Sequence, residues 1–267
     1  MRRSASPSIL SLLVATIAAP AWAGETACWF ENGAVVAPAA LGGIAGDYVI
    51  DLSAPHTLLH VDVAQGAGYV DAALTLPVAL AGQRIAATPV AVANLDYRSV
   101  GFSTPITGVI GADVLDRYVL TLDFAPCRLR LEPSRAARNP RGPGLTVTMV
   151  GGVATVQAAA SNGLGGVTGP FALDTASNGG VRARGAADAP RQKPAGTLKG
   201  LSLVGVLRQD VPAVVAGDLP PGVVGALGVQ VLAAYRLRLD PAAGRLWLTP
   251  RVKPSDHEKR PGVSAEP

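Results

Sequence analysis

The residues with the most chemical promise are two aspartates, Asp51 and Asp174, each standing at the end of an apolar run. Phe171-Ala172-Leu173 leads into Asp174-Thr175-Ala176-Ser177. A hundred and twenty-three positions earlier, Tyr48-Val49-Ile50 leads into Asp51-Leu52-Ser53-Ala54. Such a run reads as a buried strand that turns sharply into small residues and presents its last carboxylate to a cleft. A carboxylate placed there can give or take a proton, whereas one isolated Asp-Thr pair is more simply a turn former. The repetition decides between these. Each motif is followed at similar distance by a second shared stretch, Gly108-Val109-Ile110-Gly111 and Gly225-Ala226-Leu227-Gly228.

The elements that must position these carboxylates also repeat. At an offset of 117, Gly108 falls on Gly225, Gly111 on Gly228, Leu115 on Leu232 and Tyr118 on Tyr235. The same offset puts Leu122, Asp123, Arg128, Leu129 and Leu131 on Leu239, Asp240, Arg245, Leu246 and Leu248. One unit is written twice. The aspartate motifs align at 123 instead, so the second copy is six residues shorter between its motifs. Within the first copy, residues 34–40 and 48–51 read as strands around the Leu41-Gly42-Gly43 turn. Residues 57–60 follow as a strand or short turn, and residues 73–80 and 85–93 form a hairpin across Ala81-Gly82-Gln83-Arg84. A short helix is expected around residues 114–118, with Asp113 as its cap. Residues 132–144 are polar and proline-rich, unlike a packed segment, and read as a linker. The expected organisation is a signal peptide (1–23), an N-terminal lobe (24–131), this linker, a C-terminal lobe (145–250) and a disordered tail (251–267).

Asp followed by hydroxyl or small residues after an apolar strand, then two hydrophobics and a glycine some fifty to sixty residues on, resembles the aspartic proteases. The endings beginning Gly108-Val109-Ile110-Gly111-Ala112-Asp113 and Leu227-Gly228-Val229-Gln230 are similar to the close of a retropepsin-like unit. The resemblance spans nearly all of residues 30–250. It implies a mostly all-β, bilobal, pepsin-like acid protease fold built from two retropepsin-like β-barrel repeats, of the exported bacterial kind. It also implies a catalytic dyad, Asp51 and Asp174, that shares one proton because two adjacent carboxylates cannot both ionise. One member activates water and the other protonates the peptide carbonyl oxygen. No metal, cofactor or covalent intermediate is needed. Thr175 keeps the hydroxyl that the family carries after its aspartate. Leu52 does not, and Ser53 and Ala176 stand where the family has glycine, leaving Ser53 and Ser177 as further supporting hydroxyls. A flap would lie in the 73–93 hairpin, flanked by Tyr69 and Tyr97, although neither sits at its tip.

Composition and motifs restrict the alternatives. With 49% hydrophobic and 16% charged residues and a formal charge of +4, the chain suits a turn-rich β protein rather than a disordered one. No basic block interleaves with aromatics, so nucleic acid is not an expected partner. Arg2 and Arg3, the apolar stretch 9–19 and Ala21-Trp22-Ala23 have the form of a cleavable export signal. No later run is long enough to span a membrane, and a periplasmic or secreted monomer is expected. In an exported chain two cysteines, Cys28 and Cys127, favour a disulfide, with buried free thiols as the alternative. His56 and His60, four apart in an extended segment, do not read as a metal site. Asp123 and Asp240 read as turn formers, and no Gly-x-Ser-x-Gly elbow or phosphate loop is present. Two functions remain. One is an exported aspartic endopeptidase acting on peptide or protein. The other is a catalytically silent relative that binds a peptide or an envelope protein in its inter-lobe cleft.

Overall fold

The apolar run before Asp51 is strand Ile44–Ile50, and the run before Asp174 is strand Gly166–Leu173. The computed structural model describes residues 24–177, 179–184, 196–203, 205–215 and 219–251, almost all of them in strands and turns. Tyr48, Val49, Ile50, Phe171, Ala172 and Leu173 are all buried, which explains why both runs read as continuously apolar rather than alternating.

Each aspartate strand has the same two neighbours. Strand Ile44–Ile50 pairs antiparallel with Ala34–Leu41 and parallel with Ile106–Ile110. Strand Gly166–Leu173 pairs antiparallel with Val153–Ser161 and parallel with Gly225–Leu227. The parallel partner carries the second motif of each repeat and is followed by a glycine that opens a one-turn helix, Ala112–Leu115 or Val229–Leu232. Those glycines are needed for contact. A Cβ on Gly111 would lie 2.6 Å from the His56 carbonyl oxygen, and one on Gly228 only 2.0 Å from the Gly179 oxygen. The second motif is thereby pressed against the chain that has just left the aspartate.

The repeats join through their closing hairpins. Val119–Phe124 pairs with Cys127–Glu132, Tyr235–Asp240 pairs with Arg245–Pro250, and Val119–Phe124 pairs antiparallel with Tyr235–Asp240. In that central pairing Leu120 faces Leu239, Thr121 faces Arg238 and Leu122 faces Leu237. Since 238 lies 117 residues after 121, Thr121 faces its own repeat equivalent, so a local two-fold axis passes through this pair. One hydrophobic core runs through both halves, containing Ile50, Leu120 and Leu122 together with Leu173, Leu237 and Leu239. Cys28 and Cys127 form a disulfide that ties the first described strand to the closing hairpin of the first repeat.

Three local expectations are corrected. Residues 132–144 do not run free of the body. Glu132 is buried and ion-paired with Arg238 at 2.7 Å, and Asn139 donates to Asp240 at 2.7 Å. The charge at 238, beside the two-fold axis, draws this polar segment back onto the sheet. Asp113 does not cap its helix, which starts from Gly111 with no side-chain cap; its carboxylate instead accepts the Thr57 N–H and hydroxyl at 3.0 and 2.7 Å. The tip of the hairpin formed by Ala73–Leu80 and Gln83–Ala93 packs on the edge of the closing sheet, where Gln83 donates to the Leu131 carbonyl at 3.2 Å. It is therefore no flap. Asp240 does close its turn, accepting the Ala243 N–H at 2.9 Å. The signal-like stretch 1–23 and residues 252–267 lie outside the described residues. Among the described residues no helix is long and apolar enough to cross a membrane.

Asp116, directly after helix Ala112–Leu115, has a carboxyl pushed up to about 7, by burial first and by the neighbouring charge of Asp113 second. One of its oxygens is buried without a hydrogen-bond partner. A carboxyl whose folded pKa is raised adds stability fully below its unfolded value, near 4, and loses it as pH rises through the folded value. The chain is therefore expected to lose on the order of 2 kcal/mol between about pH 4 and 8 relative to Asp116→Asn. Urea unfolding of both proteins across that range checks this, and parallel profiles would contradict it.

Candidate active site

Each aspartate is fixed first by its own backbone. The Asp51 N–H donates to the Ile110 carbonyl at 3.0 Å, and the Asp174 N–H donates to Leu227 at 2.9 Å. These equivalent bonds anchor each carboxylate at the point where its strand leaves the sheet. Asp51 Oδ1 accepts the Ser53 N–H at 2.8 Å and the Ser53 hydroxyl at 2.7 Å. Asp174 Oδ1 accepts the Ala176 N–H at 3.0 Å. The two turns therefore share an aspartate-turn geometry despite their different sequences.

Thr175 joins the halves. Its hydroxyl donates to the Ile50 carbonyl at 2.6 Å and accepts the Leu52 N–H at 3.1 Å, and its own carbonyl accepts the Val35 N–H at 2.9 Å. Thr175 is fully buried, so these bonds lie out of water. Leu52, its counterpart in the first repeat, is equally buried but has no hydroxyl to return the bridge. The connection is one-sided. Ser177, also expected to support the site, lines the cleft and accepts the Gly179 N–H at 3.4 Å, holding its own turn rather than Asp174.

Asp51 and Asp174 open into one cavity of about 840 Å³, a volume that suits a peptide segment. Both side chains are only 2% exposed. Burial pushes the Asp174 carboxyl up, and the negative charge of Asp51 pushes it further, against the opposing pull of Arg182 and the Ala176 N–H. The charge on one carboxylate is thus felt by the other.

Two residues that sequence reasoning missed complete the site. Arg98 Nη1 contacts Asp51 Oδ2 at 2.8 Å, and Arg182 Nη2 contacts Asp174 Oδ2 at 2.5 Å. Arg98 comes from the short helix Asp96–Ser99, 47 residues after Asp51, whereas Arg182 comes from strand Val181–Ala183, eight residues after Asp174. The offsets are unrelated, so the repeat gives no signal for them. The turn carrying Arg98 is secured behind by Asp96, which accepts from Asn94 and pairs with His60 at 3.1 Å. These contacts, that of Asn94 first, hold the exposed Asp96 carboxyl below its ordinary pKa. His60, Asp62 and Asp96 are close enough to suggest a cation site. Both ring nitrogens of His60 are already engaged, one with Asp96 and one accepting the Asp62 N–H. Tyr97 and Phe102, from the segment around Arg98, line the cleft where the hairpin tip does not.

The fold is similar to that of a solved aspartic protease. An aspartic proteinase from Irpex lacteus is similar in structure, with a TM-score of 0.52 and 13% identity over 86% of this chain and 97% of that one. A retropepsin-like aspartic protease from Rickettsia conorii aligns with 41% of this chain and 90% of its own, at 19% identity and a TM-score of 0.32. No protein-family model matches the sequence, and no curated protein matches it. The resemblance read from the aspartate motifs and repeated endings is borne out at the level of fold, which is the pepsin-like one.

Replacing Thr175 by the isosteric valine would strand two buried backbone groups, Leu52 N–H and Ile50 C=O. At roughly 1–3 kcal/mol for each unsatisfied group, Thr175→Val is expected to destabilise by about 2–4 kcal/mol, whereas Thr175→Ser retains most of the stability. Urea unfolding measures both. A loss below about 0.5 kcal/mol for the valine variant would remove the bridge from the account.

Proposed function

We propose that this chain, with its pepsin-like fold, is an exported aspartic-type endopeptidase whose dyad is Asp51 and Asp174. It acts as a monomer of two lobes, 24–131 and 145–250, joined through 132–144, and works in the periplasm or outside the cell on peptide or protein substrates. The observation that carries the reading is that both carboxylates are buried and open into one cleft, where burial first and the charge of Asp51 second push Asp174 upward. Two carboxylates so placed take up protons as a unit. With one proton between them, the ionised member draws a proton from water as it attacks the peptide carbonyl, and the protonated member donates to the carbonyl oxygen. The roles then reverse as the amine leaves. Ser53 keeps Asp51 oriented through Oδ1, and Thr175 holds the two strand ends together.

The second reading, a silent cleft that binds peptide without cutting, is favoured by the two arginines. A guanidinium on each carboxylate balances the charge of the resting site with no shared proton, and an arginine does not give up its own. Leu52, without a hydroxyl, points the same way. Cleavage therefore requires an aspartate to be released from its arginine, and binding alone does not.

Cleavage of a mixed peptide library from about pH 3 to 7 separates the readings. The endopeptidase is expected to show a bell-shaped, acid-favouring profile and inhibition by a peptide carrying a transition-state-mimicking hydroxyl. Asp51→Asn and Asp174→Asn should each lower turnover by about a thousandfold or more, and the double variant little further, because the pair acts as a unit. Leu52→Thr, which restores the second hydroxyl, should raise turnover. Full cleavage by Asp174→Asn would discard the dyad, and no cleavage by the parent chain at any pH would select the silent cleft.

A further inference from the structure

The four charges of the cleft are arranged unequally. Asp51 and Asp174 are nearly inaccessible, whereas Arg98 and Arg182 keep 26% and 24% of their side chains exposed and line the cavity. Each guanidinium touches its aspartate through a single nitrogen rather than a two-pronged fork. Arg98 spends Nε on the Tyr97 hydroxyl at a long 3.3 Å, and Arg182 Nε is buried with no partner. A planar guanidinium with unspent donors is built to take a carboxylate in two-pronged fashion. The walls around them include apolar side chains such as Phe102 and Leu219. Arg98 is the more readily released, since it sits on a four-residue helix whose neighbours Tyr97 and Val100 are exposed.

We propose that the cleft recognises peptides bearing a carboxylate side chain, that Arg98 exchanges Asp51 for that carboxylate, and that one proton enters the aspartate pair on binding. The last step follows from charge balance. At rest two negative charges face two positive ones; a third carboxylate leaves one negative charge uncompensated in a buried site, which is costly. Taking a proton from solvent onto the pair restores neutrality. The pair can take it up because Asp51 has lost its arginine, while burial first and the charge of Asp51 second already push the neighbouring Asp174 upward. By linkage, such peptides bind more tightly as pH falls. The inference rests on reading the cleft as a peptide site and deepens it, because the singly protonated pair is the state that peptide hydrolysis requires. Beside these four groups, His56 and Tyr97 are the titratable side chains in the cavity wall among the described residues. Asp96 and His60 face each other behind the helix that carries Arg98.

The test uses a fluorescein-labelled peptide of ten mainly Leu and Val residues with one central Glu. A reduced, uncleavable bond lies beside the Glu, and a twin peptide carries Gln in its place. Anisotropy on the full chain is expected to show the Glu peptide binding at least about tenfold tighter than its twin near pH 6, the preference growing as pH falls. Calorimetry in two buffers of different ionisation heat should record uptake of about one proton for the Glu peptide only, retained in His56→Gln. Arg98→Gln should erase the preference, and Arg98→Lys, which keeps the charge but not the fork, should weaken it; thermal unfolding of both establishes that they fold. Equal binding of the twins, binding of the Glu peptide without proton uptake, loss of that uptake in His56→Gln, an undiminished preference in a folded Arg98 variant, or no binding of either peptide overturns the proposal. A Glu preference without cleavage of ordinary peptides supports it while refuting the endopeptidase. Cleavage with no Glu preference refutes this inference alone.

Discussion

The site depends on one hydroxyl. Thr175 reaches from the second repeat to the backbone on either side of Asp51, donating to Ile50 and accepting from Leu52. Without that bridge each aspartate would still end its strand, and the Val35 N–H on the Thr175 carbonyl would still tie the repeats, but the backbone on either side of Asp51 would lose its hold on the second repeat. The closing hairpins set the coarse relation between the repeats through the axis at Thr121 and Arg238, and Thr175 sets the fine one. A buried bond of this kind is strong because the alternative, an unpaired backbone group away from water, is expensive. The first repeat, with Leu52, has exchanged its half of the bridge for apolar burial.

Bringing two carboxylates together in a dry place creates a charge problem, and the protein meets it with two arginines. The pairs are partly buried, so their worth lies less in net stability than in avoiding an isolated charge. Their effect on chemistry is larger. An aspartate held by a guanidinium is an acceptor only, whereas one relieved of its arginine beside a second carboxylate readily takes a proton. The state of the arginines therefore sets the state of the dyad, and the short exposed helix that carries Arg98 makes that state responsive to what enters the cleft.

Much of this was legible in the residues, for a physical reason. Strands buried on both faces leave continuous apolar runs, and the chain's duplication repeated those runs with their glycines, so Asp51, Asp174, Gly111 and Gly228 stood out by position. The 117-residue register marked the closing hairpins as equivalent, though not that they pair with each other where Thr121 meets Arg238. What stayed hidden depended on contacts between distant parts of the chain. Arg98 and Arg182 occupy unrelated positions in the two repeats, and a lone arginine in sequence looks like any surface charge. Residues 132–144 looked unpacked because polarity shows and partners do not; Glu132 and Asn139 find theirs in Arg238 and Asp240. Asp113 had the look of a helix cap, but Gly111, pressed against His56, already begins that helix, leaving the carboxylate for Thr57.

The central claim is that Asp51 and Asp174 form one electrostatic unit. Carbon-13 NMR of the aspartate carboxyl groups tests it directly, with the Asp174 signal identified by its loss in Asp174→Asn. The account predicts that Asp174 titrates above the ordinary aspartate range, and that Asp51→Asn lowers its midpoint by removing the neighbouring charge while burial keeps it from falling all the way. An Asp174 midpoint that does not move when Asp51 is neutralised would contradict it.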